Sequence, residues 1–193
     1  MFLQNLEKYE IILASKSPRR QQLLHDLGLN FRVESMDIPE EFPEGMGMME
    51  IPVFLAELKV AAFTPQLKDN QLVITADTIV WLEGKVLNKP ADYAEGFQML
   101  RQLSGEKHQV ITGVCLLSAK KKISFAVSTD VWFKELEDHE IQYYLEHYRP
   151  YDKAGAYGIQ EWIGYIGITR IEGSFFNVMG LPVQHVYEHL KDF

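Results

Sequence analysis

Cysteine is nearly absent from this chain. Cys115 stands alone among 193 residues, so no disulfide can close within it. It lies in the apolar run VITGVCLL, where an inert core side chain belongs, and a lone thiol agrees with a reducing compartment. Long apolar runs are missing as well. None approaches membrane-spanning length and the first residues carry no signal-peptide core, so the expectation is a soluble, cytoplasmic protein. Positive charge is scarce: 19 Lys and Arg against 27 Asp and Glu give a formal net charge of −8. That balance argues against general binding to nucleic acid or to an anionic membrane. An acidic chain that binds a polyphosphate must gather its cations locally. Gly-x-Gly-x-x-Gly and Walker A patterns are absent, as are a nucleophile elbow and a Ser/His/Asp order. His108 stands apart from any Cys/His spacing, which speaks against zinc. It reads as a hydrogen-bonded structural histidine.

What is present suffices for a folded core, with 47% hydrophobic residues and a length that allows one substantial core or two small lobes. Glu10 to Ala14 suits a short buried strand, with a helix after it to Gly28. Phe31 to Met49, rich in Pro, Gly and acidic residues, predicts a strand end and a long loop. A helix is expected over 52–63, and a strand over 72–82 that turns at Glu83-Gly84 into KVLNKP. Asp92 with Glu95 has the capping-box spacing for a helix that Gly105 closes. Two strands, 110–119 and 123–136, flank the Lys120–Lys122 turn. Asp138 is expected to cap a helix through Tyr148. Two short strands around Gly173 and a helix from about Pro182 complete the chain. Interleaved helices with antiparallel hairpins predict a mixed α/β fold rather than a fully parallel one.

Chemistry concentrates at a few places. In ILASKSPRR, Ser17 is a good N-cap and Pro18 fits the first helical position. The turn therefore offers free N–H groups, the Ser15 and Ser17 hydroxyls, and the Arg19 and Arg20 guanidiniums at one helix N-terminus. Cations there oppose the macrodipole by roughly 0.3–1 kcal/mol each. Either the arginines are solvated, or an anion with several oxygens completes the site. Asp77 in VITADTIV is a carboxylate in a strand apolar enough to be buried on both faces. It is either a structural group satisfied by backbone donors or a cation, or a general base or metal ligand held at a strand end. Thr78 beside it is a β-former that could orient a ligand. Lys59 falls on or beside the apolar stripe of its helix, and points either to solvent or towards an anion. Lys89 is held extended before Pro90. Glu40 is solvent-facing or, with Asp77, enough for a Mg²⁺ that also takes substrate phosphates. Gln160, at the end of DKAGAYGIQ, has the donor and acceptor needed to read a base edge.

The segments LASKSPRR, FLAELKVAAF, ITADTIV, GKVLNKP, LSGEKHQVITGV, DKAGAYGIQ and IEGSFFNVMGLPV follow one another from about Leu13 to Val183. In that order the chain resembles the Maf family of nucleoside triphosphate pyrophosphatases, also called septum-formation inhibitor proteins. The resemblance implies hydrolysis between the α and β phosphates, with Mg²⁺ or Mn²⁺, to a monophosphate and pyrophosphate. It implies Asp77 as proton acceptor. Arg19, Thr78 and Gln160 match positions linked to substrate choice, and Arg20, Lys59 and Lys89 match basic residues of the phosphate cleft. Ser15 and Ser17 match loop hydroxyls, and Glu40 an acidic position near the metal, with Asp77 as the other ligand. AGAYGIQ with Arg19 and Thr78 is similar to the branch acting on dTTP, UTP and modified uridine nucleotides, which limits incorporation of non-standard nucleotides. The implied fold is one domain over 1–193, an elongated mixed α/β sheet flanked by helices, with two lobes and a central cleft, often a homodimer. The sequence departs from the family pattern at Lys16, at Tyr151 and in EWIGYIGITR after Gln160. Two rivals are the same chemistry on 7-methyl-GTP and a non-catalytic, nucleotide-sensing regulator of cell division.

Overall fold

The computed structural model describes residues 3–34, 36 and 38–193; Ser35 and Asp37 of the predicted acidic loop lie outside them. The elements in chain order are β1 Glu10–Leu13, α1 Pro18–Asp26, β2 Arg32–Val33, α2 Glu50–Ala61, β3 Gln71–Leu82, β4 Lys85–Leu87, α3 Tyr93–Leu103, β5 Lys107–Ser118, β6 Lys122–Phe133, α4 Asp138–Tyr148, α5 Trp162–Gly167, β7 Ile168–Glu172, α6 Phe175–Val178 and α7 Val183–Leu190. The fold is the mixed α/β type that the sequence predicts. Its strands run in the order β2-β1-β3-β5-β6-β7, with β4 paired to β3. β1 is parallel to β2 and to β3, while β3–β4 and β6–β7 are antiparallel. β5 and β6 are neighbours joined by three residues, a connection that only antiparallel strands accept. Among the described residues no helix is long and apolar enough to cross a membrane.

The chain forms two compact units. The first comprises residues 1–77, 112–127 and 180–193; the second comprises 78–111 and 128–179. In the first unit, Ile12, Ala14, Ala56, Val60, Phe63, Val73 and Cys115 pack together, each Val or Ile contributing roughly 1.5–3 kcal/mol by leaving water. The approach of α2 to β5 is close. A Cβ added at Gly113 would lie 2.2 Å from the Pro52 carbonyl carbon, so only glycine admits the helix there. α2 begins two residues before the predicted start, because Glu50 accepts the Gly47 N–H at 2.9 Å and closes the first turn.

In the second unit the core joins Val80, Leu100, Leu103, Phe133, Tyr144, Tyr157 and Ile163 with their neighbours. Asp92 caps α3 by accepting the Glu95 N–H at 2.9 Å, but the Glu95 carboxylate returns to Ala91 N rather than to Asp92 N. α4 corrects the sequence reading. Its cap is Glu137, in a reciprocal box with Glu140, and Asp138 is the first helical residue. The segment after Gly173 is also corrected. It is the one-turn helix α6, capped by Ser174, because Ser174 Oγ accepts the Asn177 N–H at 3.3 Å. The buried Asn177 amide in turn donates to Val110 O and Thr129 Oγ1, both at 3.0 Å. α5 was not anticipated by the sequence reading.

Candidate functional site

Alternation along β3 places Val73, Thr75 and Asp77 on one face, and α2 packs on that face. Val73 meets Ala56 and Val60 in the core. Thr75, fully buried, donates to Ala56 O at 2.7 Å. Asp77, one step further, receives the Lys59 ammonium, and the same ammonium donates to Glu40 Oε1 at 2.8 Å. Lys59 therefore neither snorkels to solvent nor stands alone: its side chain is 17% exposed, between Asp77 at 9% and Glu40 at 39%. The costly buried carboxylate has found its cation.

The SKSPRR turn folds as its residues predict. Ser17 Oγ accepts the Arg20 N–H at 3.4 Å, Ser15 Oγ accepts the Ser17 N–H at 3.2 Å, and Ser15 is buried. Arg19 and Arg20 are both half-buried. Arg20 holds two backbone carbonyls. Its Nε donates to Gly180 O and its Nη1 to Ala76 O, each at 2.8 Å, which pins the residue before Asp77 to the turn before α7. Burial lowers the Arg20 pKa, the Asp77 and Glu40 charges raise it, and Arg19 lowers it further. Ser15, Ser17, Arg20, Glu40, Lys59 and Asp77 thus belong to one connected region of the first unit, with Arg19 on the same helical turn.

Thr78, Lys89 and Gln160 belong to the second unit. Thr78 is half-buried and Lys89 exposed ahead of the buried Pro90. Asn88 O accepts the Gly155 N–H at 3.1 Å, which joins the GKVLNKP and DKAGAYGIQ segments side by side. Gln160 is half-buried, and its side-chain carbonyl oxygen is buried with no hydrogen-bond partner among the described residues. Around it runs a network that sequence reasoning missed. Lys153, 8% exposed, lies 2.7 Å from Asp152 Oδ1 and 3.2 Å from Glu161 Oε1. Glu161 Oε2 accepts the Tyr144 hydroxyl hydrogen, and Tyr144 Oη accepts the Gly158 N–H at 3.0 Å. Burial first, and the hydrogen bond to Glu161 second, keep Tyr144 protonated far above the ordinary tyrosine range. Helical spacing sets Tyr144 on one face with Ile141 and Leu145 and gives no sign of the bond its hydroxyl makes. Only the departure from the family pattern after Gln160 pointed to Glu161. His108 is a hydrogen-bonded core histidine, 2.7 Å from the Tyr157 hydroxyl and stacked on Phe133.

Two carboxylates converging on one ammonium are also a donor set for a hard divalent cation that fills its remaining positions with phosphate oxygens and water. Among the described residues no three His, Cys, Asp or Glu side chains gather for a metal. Asp77 and Glu40 fit the group only in partnership with substrate.

Comparison with known proteins adds an independent line. The family described as Maf-like protein matches residues 10–193. A Parabacteroides distasonis protein named dTTP/UTP pyrophosphatase is 54% identical over 192 residues, covering 99% of this chain and 100% of that one. A Porphyromonas gingivalis protein of the same name is 53% identical over 194 residues, covering 99% and 98%. Among solved structures, a nucleoside-triphosphatase / dITP/XTP pyrophosphatase from Mycobacterium abscessus aligns over 95% of this chain and 97% of its own, at 16% identity and a TM-score of 0.45.

Proposed function

This chain belongs to the Maf family, and from that premise we propose that it hydrolyses dTTP and UTP to the monophosphate and pyrophosphate. The observation that carries the chemistry is Asp77, a buried carboxylate at a rigid strand position paired to Lys59. Full-length likeness to proteins named dTTP/UTP pyrophosphatase supports the substrate class.

In this reading Asp77 takes the proton of the water that attacks phosphorus. The α2–β3 packing fixes its position, so little reorganisation accompanies proton transfer. Lys59 pairs with Asp77 until substrate arrives, then exchanges that contact for phosphate oxygens. Arg19 and the hydroxyls and N–H groups of the Ser15–Arg20 turn receive the phosphates at the α1 N-terminus. Arg20 contributes charge while its two carbonyl contacts hold the turn in place. A Mg²⁺ or Mn²⁺ held by Asp77 and Glu40 would supply neutralising charge for the phosphate oxygens. Within the second unit, Lys89 and Thr78 are assigned to substrate on the family resemblance. Gln160 is assigned to the base: its unpartnered carbonyl suits a ring N–H donor and its amide N–H a ring carbonyl. Uracil and thymine offer that pair at N3 and O4; cytosine reverses it. Guanine offers the same pair, so 7-methyl-GTP is the informative competitor.

The test is pyrophosphate release from dTTP, UTP, CTP and 7-methyl-GTP, with Mg²⁺ and with chelator. Release from dTTP and UTP that stops on chelation is expected. Preference for 7-methyl-GTP would move the chain to the sister activity, and no release from any nucleotide would leave a binding protein.

A further inference from the structure

The segment that departs from the family pattern, EWIGYIGITR, is the one that supports the Gln160 carbonyl, and we propose that Glu161, Tyr144 and Lys153 form a positioning device for base selection. The inference rests on Gln160 reading the base.

The residues around Gln160 are held at several points. Tyr144 Oη receives the Gly158 N–H two residues before it. Glu161, the next residue, accepts from Tyr144 and pairs with Lys153. The Gln160 backbone carbonyl accepts the Tyr165 hydroxyl hydrogen at 2.9 Å. Chain reversal after it is tight. The Gly164 N–H donates to Glu161 O at 2.9 Å, and a Cβ at Gly164 would lie 1.9 Å from Ile159 O. A Cβ at Gly158 would meet the Glu161 carboxyl carbon at 2.8 Å. The loop therefore fits around the Glu161 carboxylate as a template.

Such an arrangement is poor value as stabilisation. A buried ion pair roughly breaks even against apolar packing of the same volume. It does define one geometry, because the Tyr144 hydroxyl donates to Glu161 and the Gly158 N–H to Tyr144 Oη, while Lys153 bridges Asp152 and Glu161. Its product is a side-chain carbonyl left buried and unbonded. An unmade hydrogen bond there weakens the empty site, and a base that supplies an N–H regains it. A base presenting an acceptor instead meets lone pair against lone pair. Selection by a rigid polar group of this kind discriminates more sharply than an apolar pocket does. Rigidity matters, since a free amide would rotate by half a turn and accept the reversed pattern.

The experiment compares kcat and KM for UTP and CTP in the wild type, Glu161→Gln, Tyr144→Phe, the double variant and Gln160→Ala, each checked for folding by its thermal midpoint. Glu161→Gln and Tyr144→Phe are expected to raise the KM for UTP roughly tenfold and to lower the UTP-to-CTP ratio of kcat/KM similarly, with kcat for UTP held within about threefold. The double variant is expected to be no worse than the poorer single one, as for residues acting through one network. A purely structural role would lower the midpoint and leave the ratio intact. That result, with Gln160→Ala losing the ratio, overturns the positioning role alone. Tyr144→Phe decides the matter if Glu161→Gln does not fold. A ratio unchanged in Gln160→Ala overturns the base-reading assignment itself, and the positioning role with it.

Discussion

Two lysines in this chain each stand between two carboxylates, one in each unit, and they are wired differently. Lys59 joins Asp77, 18 residues away on β3, to Glu40, 19 residues away in the loop before α2. Lys153 joins its neighbour Asp152 to Glu161, both in one continuous segment. Glu161 is also bonded by Tyr144, which holds Gly158 in turn. The contrast separates a charge that can be exchanged from one that is locked. In the proposed reading Lys59 leaves Asp77 when another cation or a phosphate arrives, because it and its two partners come from three separate elements. Lys153 cannot leave without loosening the loop it is part of. In the proposed function the first triad reacts and the second holds shape.

The comparison breaks most directly at Asp77. Asp77→Asn keeps the size and loses the base. kcat for dTTP is expected to fall by about 10²–10⁴-fold, while nucleotide affinity, measured by calorimetry, stays. Turnover near the wild-type value would remove Asp77 from the chemistry and make its triad as structural as the other.

Next in size are the lysines themselves. Lys59→Met strands the buried Asp77 carboxylate at a cost of about 3–5 kcal/mol, and Lys153→Met, which leaves the half-buried Glu161 with its Tyr144 bond, should cost less, both read from urea unfolding. Mn²⁺ should tell them apart. At a hundred times its Kd, and with a non-hydrolysable dTTP analogue supplying the phosphate oxygens, an ion bound by Asp77 and Glu40 returns about 2.7 kcal/mol to Lys59→Met. Lys153→Met should gain no more than wild type does. Equal recovery in the two variants would erase the distinction.

A smaller effect separates the two arginines of the opening turn. Arg20→Ala leaves Ala76 O and Gly180 O without their donor, costing about 1–3 kcal/mol for each buried acceptor, together with weaker binding. Arg19→Ala should weaken triphosphate binding, measured with a non-hydrolysable analogue, and change the unfolding midpoint little. Equal losses of stability would make Arg19 structural as well.

Much of this was legible before the fold. The apolar run placed Asp77 in a buried strand, and N-cap chemistry placed Ser17 and Pro18, because both signals are local. The family resemblance selected Lys59, whose helical spacing alone left it between core and solvent. The Arg20 contacts were illegible, since they reach from residue 20 to residues 76 and 180 and follow from tertiary closure. Glu137 displaced Asp138 as the α4 cap because Glu140 lies three residues after the former. The second strand expected after Gly173 gave way to α6, because a serine cap and the buried amide of Asn177 outweigh the β-propensity of Phe175 and Phe176. The Tyr144–Glu161 bond was illegible because helical periodicity registers the ring and not its hydroxyl.

The smallest effect probes the shape-holding unit by pH. Burial drives the pKa of His108 down to about 3, with Asp130 opposing, and its contacts are the Tyr157 hydroxyl and the Phe133 ring. The folded chain therefore keeps His108 neutral where the unfolded chain protonates it near 6.5. The resulting stability is fully present above pH 6.5 and drains away as pH falls towards 3, by up to about 1.4 kcal/mol per unit. His108→Phe should flatten that slope between pH 6.5 and 5.5 whatever its absolute stability, as measured by urea midpoints at the two pH values. Tyr157 belongs to the same loop as Gln160, so acidification that loosens His108 in the wild type should also erode selection of UTP over CTP. Parallel stability curves for variant and wild type would show that His108 carries no such linkage and would leave Glu161, Tyr144 and Lys153 as the loop's polar supports.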